Sequence, residues 1–148
     1  MARPPRLMIV EARYYEDIAE ELCLGAIAEL ERSGARWERI AVSGAFELPG
    51  AVALALKAGA RRAFEGYVAL GCVIRGETSH YDLVCTECAR GLQSLVLEHG
   101  LALGFGVLTC ENREQAWSRA SRTGGDKGGE AARAALAMLA LKRSFARR

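Results

Sequence analysis

Four short apolar runs divide the chain, and each is followed by a stretch whose apolar residues recur every three to four positions. The runs are Leu7-Met8-Ile9-Val10, Ile40-Ala41-Val42, Tyr67-Val68-Ala69-Leu70 and Leu103 to Leu108. They are continuous rather than alternating, as strands are when both faces of a parallel sheet are covered. The intervening stretches read as helices. One runs from Glu16 to about Ser33, with Ile18, Leu22, Ala26 and Leu30 on one face and Gly34 ending it. A second spans about Glu47 to Ala58, with Pro49 tolerated in its first turn. A third covers His80 to Glu98, with Val84, Cys88, Leu92 and Leu95 on its apolar face. A fourth is capped by Asn112 and reaches about Arg122. After a loop from Thr123 to Gly129, a last helix extends from about Glu130 to Lys142. Strand and helix in strict alternation predict an α/β protein: a three-layer α/β/α sandwich around a four-stranded parallel sheet, right-handed at each crossover.

Composition narrows this picture. A length of 148 residues suits a single domain, and 51% hydrophobic content suits a packed core. A net charge of +2 gives no reason to expect nucleic acid as a partner. Lys142-Arg143 and Arg147-Arg148 read as the cationic end of a helix. No apolar run nears the roughly 18 residues of a membrane span. Met1 to Arg6 carries charge without a following apolar segment, so it does not read as a signal peptide. Five cysteines are an odd number and point to reduced thiols in a cytoplasm. Cys85 and Cys88 form one CxxC with no companion pair, which on a helix sets two thiols toward the core rather than around zinc.

Candidate chemistry concentrates at the carboxyl ends of the strands, where open α/β sheets bind ligands. Four loops fall there: Ala12 to Tyr15, Ser43 to Glu47, Cys72 to His80, and Thr109 to Asn112. The third is the richest. From Gly71 a loop is expected, bearing two glycines, Arg75, Glu77, Thr78, Ser79 and His80 at the start of a helix. Backbone N–H groups and the helix dipole favour an anion at that spot. A histidine adds a proton carrier, and a helix N-terminus favours its neutral, basic form. Gly76-Glu77-Thr78 by itself reads equally as a capping turn. With no GxGxxG or Walker motif, dinucleotides and nucleoside triphosphates are disfavoured. Glu47 is either a first-turn acid or an acceptor for ligand hydroxyls, and Tyr14 either surface cover or a flat platform for a ring.

Taken together, Gly44-Ala45-Phe46-Glu47-Leu48-Pro49, Gly71 to Asp82, Phe105-Gly106-Val107-Leu108-Thr109, Glu114-Gln115-Ala116 with Arg119-Ala120, and Lys127-Gly128 resemble the 6,7-dimethyl-8-ribityllumazine synthase family over nearly the whole chain. The resemblance implies a flavodoxin-like fold in one domain over residues 1–148. It implies an enzyme of riboflavin biosynthesis that condenses 5-amino-6-(D-ribitylamino)uracil with 3,4-dihydroxy-2-butanone 4-phosphate, releasing phosphate and water. It calls for no metal or other cofactor. In the family pattern Tyr14 stacks on the pyrimidine; Ala45, Phe46 and Glu47 line the ribityl and pyrimidine pocket; Cys72, Val73 and Ile74 contact the pyrimidine. Glu77 and Thr78 hold the phosphate-bearing substrate, and His80 is the general acid/base. Phe105, Arg119 and Lys127 come from an adjacent subunit, Arg119 pairing bidentately with phosphate. The implied assembly is a homo-oligomer of pentamers, as a pentamer, decamer or 60-subunit shell, with riboflavin synthase as a candidate partner. Three positions depart from the pattern. Tyr15 stands where Asn is frequent, Ser43 replaces a frequent proline and is expected to loosen the turn before Gly44, and Asp126 replaces a frequent Asn, where it either weakens phosphate binding or pairs with Lys127. A riboflavin-synthase-like dismutation, a non-catalytic flavin- or pterin-binding shell and a flavodoxin-like carrier are the competing readings.

Overall fold

A computed structural model describes residues 3–59 and 63–148; Met1 and Ala2, where the N-terminal reading began, lie outside the described residues. The order is β1 (Arg6–Ala12), α1 (Glu16–Arg32), β2 (Arg36–Val42), a 3-10 turn (Ala45–Glu47), α2 (Leu48–Lys57), β3 (Gly66–Ile74), α3 (His80–His99), β4 (Leu103–Cys110), α4 (Arg113–Ala120) and α5 (Lys127–Ala146). The four strands pair in parallel in the order β2-β1-β3-β4. Helices α1, α4 and α5 cover one face and α2 and α3 the other, which gives the expected three layers.

The helix faces read from the sequence are the faces that pack. Ile18, Leu22, Ala26 and Leu30 of α1 are all fully buried. Each of the three larger side chains taken from water, Ile18, Leu22 and Leu30, is worth about 1.5–3 kcal/mol. Helix α5 meets the sheet unusually closely. A Cβ built on Gly104 would lie 1.8 Å from the Ala131 carbonyl oxygen, and one on Gly128 would lie 1.9 Å from that of Leu22. Glycine is required at both places because helix backbone occupies the space.

Among the boundaries that differ from expectation, four have a bearing on the packing or the site. β2 starts at Arg36, not Ile40, because an edge strand accommodates polar residues: Arg6 pairs with Glu38 at 2.5 Å across β1 and β2. β3 continues through Gly71 to Ile74, where a loop was expected; Gly71 pairs with Val107 and Ile74 with Cys110. α4 ends at Ala120, two residues early. α5 begins at Lys127, not Glu130, because Asp126 caps it, its carboxylate accepting from the Gly129 N–H at 3.4 Å. Asp126 sits in the left-handed region at φ 46°, a conformation that Asp tolerates better than most residues.

One buried acid anchors the carboxyl end of β1. Glu11 is 2% exposed. Arg39 grips it in a fork, Nε to Oε2 at 2.7 Å and Nη2 to Oε1 at 3.1 Å, and Arg13 donates to the same carboxylate. Arg39 also reaches Glu20 on α1 at 2.9 Å. Breaking such a buried pair would leave an uncompensated charge. The cluster therefore ties β1, β2 and α1 together just before the loop that carries Tyr14 and Tyr15.

Candidate functional site

Beyond the carboxyl ends of β1 and β3 lies a cavity of about 640 Å³, within the range that accommodates a small molecule. Three segments build it. The first is the turn after β1, with Tyr14 and Tyr15. Their rings meet edge to face at 4.9 Å, and Tyr14 stays 73% exposed, so one flat surface faces the opening. Arg113 at the start of α4 sits 6.0 Å from the Tyr15 ring and pairs with Asp17, bracing Tyr15 from behind.

The second segment is Gly44 to Glu47. Ala45 is buried while Phe46 and Glu47 are exposed at the rim. Ser43, expected to loosen this turn, instead donates its hydroxyl to Glu47 Oε1 at 3.1 Å. One carboxylate oxygen is thereby engaged, which orients the group and leaves Oε2 for another donor.

The third segment is the end of β3 with the start of α3. Cys72, Val73 and Ile74 line the wall from strand positions, not from a loop, so their spacing is fixed by pairing with β4. Burial pushes the Cys72 thiol up to about 12, so at neutral pH it is a neutral, soft, apolar surface and no nucleophile. Gly76 also lines the cavity, and a Cβ there would meet no protein atom within 4 Å. The fold does not require glycine at 76; its effect is to keep that volume open.

Thr78 and His80 stand together at the head of α3. The His80 backbone N–H donates to Thr78 Oγ1 at 3.3 Å. Because that hydroxyl accepts from the backbone, its own proton is free to donate to an anion. Ser79, the N-cap, makes no side-chain capping bond, so the first-turn N–H groups of α3 depend on other acceptors. His80 is exposed and lines the cavity, with Tyr81, Leu83 and Val84 below it on the same helix face. Burial raises the Tyr81 hydroxyl above the usual tyrosine range, keeping it a protonated donor at neutral pH.

Tyr14, Ala45, Phe46, Glu47, Cys72, Val73, Ile74, Thr78 and His80 thus converge on one cavity. Glu77 is exposed on the adjacent loop but does not line it. Phe105, Arg119 and Lys127 lie away from it. Phe105 is 47% exposed on β4, an edge strand; Arg119 donates to the Gln115 carbonyl at 3.3 Å; Lys127 pairs with Glu130 at 3.0 Å, not with Asp126, whose carboxylate is committed to the helix cap. Tyr81 and Leu83 were not singled out from the sequence, Val84 was read only as part of an apolar helix face, and Tyr15 only as a departure from the family pattern. For Leu83 and Val84 the signal was available, since positions three and four after His80 share its helix face. Of the CxxC thiols, Cys88 is buried and Cys85 half-buried, and all five cysteines are free.

A second groove of about 530 Å³ lies toward the amino ends of the strands, lined by Met8, Ile40, Leu54 and Phe64 with the Arg6–Glu38 pair. It is lined mainly by apolar side chains and has no histidine or hydroxyl side chain among its lining residues; its one carboxylate, Glu38, is paired with Arg6.

The model of the family described as 6,7-dimethyl-8-ribityllumazine synthase matches residues 4–143. A protein named 6,7-dimethyl-8-ribityllumazine synthase 1 from Rhizobium meliloti (strain 1021) is 52% identical over 144 residues, spanning 95% of this chain and 93% of the relative. Proteins named 6,7-dimethyl-8-ribityllumazine synthase from Agrobacterium fabrum and Sphingopyxis alaskensis are 50% and 52% identical, covering 95% and 94% of this chain and 97% and 96% of their own lengths. With a family model that matches residues 4–143 and relatives near half identity over almost their whole length, the chain belongs to the 6,7-dimethyl-8-ribityllumazine synthase family.

Proposed function

We infer that this protein is a transferase that condenses 5-amino-6-(D-ribitylamino)uracil with 3,4-dihydroxy-2-butanone 4-phosphate to form 6,7-dimethyl-8-ribityllumazine, the penultimate step of riboflavin biosynthesis. The observation that carries this reading is the convergence on one cavity of an exposed ring platform, a tethered carboxylate and a histidine–hydroxyl pair. In this reading the pyrimidine stacks on Tyr14 and rests against Phe46, Ala45, Cys72, Val73 and Ile74. Glu47 accepts from ribityl hydroxyls through the oxygen that Ser43 leaves free. The phosphate end lies at the head of α3, where Thr78 donates and Glu77 closes the loop.

The amine of the uracil attacks the ketone of the butanone phosphate and water leaves, giving a Schiff base. Loss of phosphate follows, and ring closure expels a second water. Each step moves a proton, and His80 at the cavity rim is the group suited to accept and return it. Alignment of two bound reactants supplies much of the acceleration.

Phe105, Arg119 and Lys127 complete the site of a neighbouring copy in a pentamer, which accounts for their position away from this chain's own cavity. Arg119 then meets phosphate as a bidentate fork. The pentamer is either the final state or the unit of a decamer or a 60-subunit shell, with riboflavin synthase consuming the product. The protein works as one domain, in the cytoplasm, where its free thiols are compatible with a reducing environment.

The test is direct. Purified protein mixed with both substrates should form lumazine, followed by absorbance and fluorescence, well above a protein-free blank. Arg119→Ala should raise KM for the butanone phosphate most, by about 10- to 100-fold, the usual cost of a charge-assisted pair. Tight binding of the aminouracil without product would instead favour a storage role.

A further inference from the structure

We propose that Arg75 is a positioning residue that latches the loop of residues 76–79 at both ends and so holds Thr78 and His80 in register at the phosphate end of the cavity; this rests on the lumazine-forming reading above. Arg75 does not line the cavity, so its effect must pass through its neighbours. Four contacts define the latch. Its backbone N–H donates to the Cys110 carbonyl at 2.9 Å, one step beyond the last pair of the β3–β4 ladder. Its guanidinium carbon lies 4.3 Å from the centroid of the Tyr81 ring. Its Nε donates to Glu111 Oε2 at 2.8 Å. Its Nη1 lies 3.6 Å from Asp82 Oδ1.

The topology of these contacts matters more than their individual strength. Exposed ion pairs are weak alone. Here a single planar group, just before the loop, holds the first two residues after His80. The four-residue loop is therefore closed across its ends, and the ordering cost of Thr78 is met before substrate arrives. Glu111 is fixed in turn, its N–H donating to Gln115 Oε1 at 2.8 Å at the head of α4. Tyr81 is itself a cavity residue, so the stack also sets the angle of one wall. Lysine could neither stack as a plane nor engage two carboxylates as a fork.

The experiment compares wild type, Arg75→Gln, Arg75→Lys and Glu111→Gln. In Arg75→Gln, KM for the butanone phosphate should rise roughly tenfold, the combined scale of a cation–π contact and a held ion pair. KM for the aminouracil should stay within about twofold, because its contacts come from Tyr14, the Ala45–Glu47 turn and β3 residues fixed by pairing with β4, none of which depends on the Arg75 side chain. Arg75→Lys should not restore the phosphate KM, and Glu111→Gln should reproduce part of the loss. Equal rises in both KM values, or full recovery with lysine, would overturn the latch. Should wild type form no lumazine, the functional reading fails, and amide hydrogen exchange decides the latch alone. Faster exchange confined to residues 76–80 in Arg75→Gln supports it, and unchanged exchange there overturns it.

Discussion

On the face of the sheet covered by α1, α4 and α5, twenty apolar residues among those described are buried and four are half-buried; on the α2–α3 face the numbers are twelve and eleven. The first face is closed by backbone contact, through Gly104 against Ala131 and Gly128 against Leu22. The second is closed by side chains and is left partly open at the carboxyl ends of the strands, where the cavity lies. The difference separates two tasks. Close packing on one side makes the sheet a rigid platform. Incomplete packing on the other leaves apolar wall exposed to a ligand. A cavity on the closed face would require moving backbone; on the open face it requires only a short side chain such as Ala45.

Breaking the closed face should have the largest effect. Gly104→Val would drive a branched side chain into the Ala131 carbonyl, and since neither backbone can yield cheaply, the expected result is failure to accumulate soluble protein. A gentler contrast uses two leucines. Leu22→Ala on the closed face should cost about 2–5 kcal/mol in denaturant unfolding. Leu83→Ala, 62% exposed on the cavity wall, should cost about 0.5 kcal/mol or less. Equal losses would mean that the two faces do not differ in the way described.

The smallest effect sharpens the open face. Ser43→Ala removes the tether on Glu47 and should raise KM for the ribitylaminouracil about two- to fivefold, the scale of one exposed hydrogen bond. KM for the butanone phosphate should be unchanged, and stability should barely move. A change confined to the phosphate substrate would show that the Ser43–Glu47 pair serves the other end of the cavity.

The fold was legible at β1 and β3, which are buried on both faces and whose continuous apolar runs have no polar alternative, and at β4 from its apolar run although Phe105 and Thr109 are exposed. It was least legible at β2, where Arg36-Trp37-Glu38-Arg39 looks like a loop. That strand lies at the edge, and its charges are matched by Arg6 and Glu11, which no local pattern reveals. Gly128-Gly129 likewise suggested a loop, but Gly128 is needed by the close approach of α5 to α1, and a Cβ on Gly129 would meet the capping carboxylate of Asp126 at 2.4 Å. Of the candidate site, the segments around Glu47 and His80 could be found from strand-end position alone. Their convergence with Tyr14 follows from β1 lying between β2 and β3. Phe105, Arg119 and Lys127 could not be located this way; their roles rest on family resemblance, because within one chain they stand apart from the cavity. Arg75 was noticed as one polar residue among several, whereas its role depends on Glu111, brought beside it by the pairing of β3 with β4.

The central claim is that the open carboxyl-end cavity, and not the apolar groove at Ile40, Leu54 and Phe64, receives the substrate. Amide hydrogen exchange with and without the ribitylaminouracil tests it most directly. Slower exchange should appear in residues 43–48 and 72–84, with α1 and α5 unchanged. Slower exchange confined to residues 38–42 and 51–58 would contradict the account, because the ligand would then occupy a groove without the histidine–hydroxyl pair of the carboxyl-end cavity.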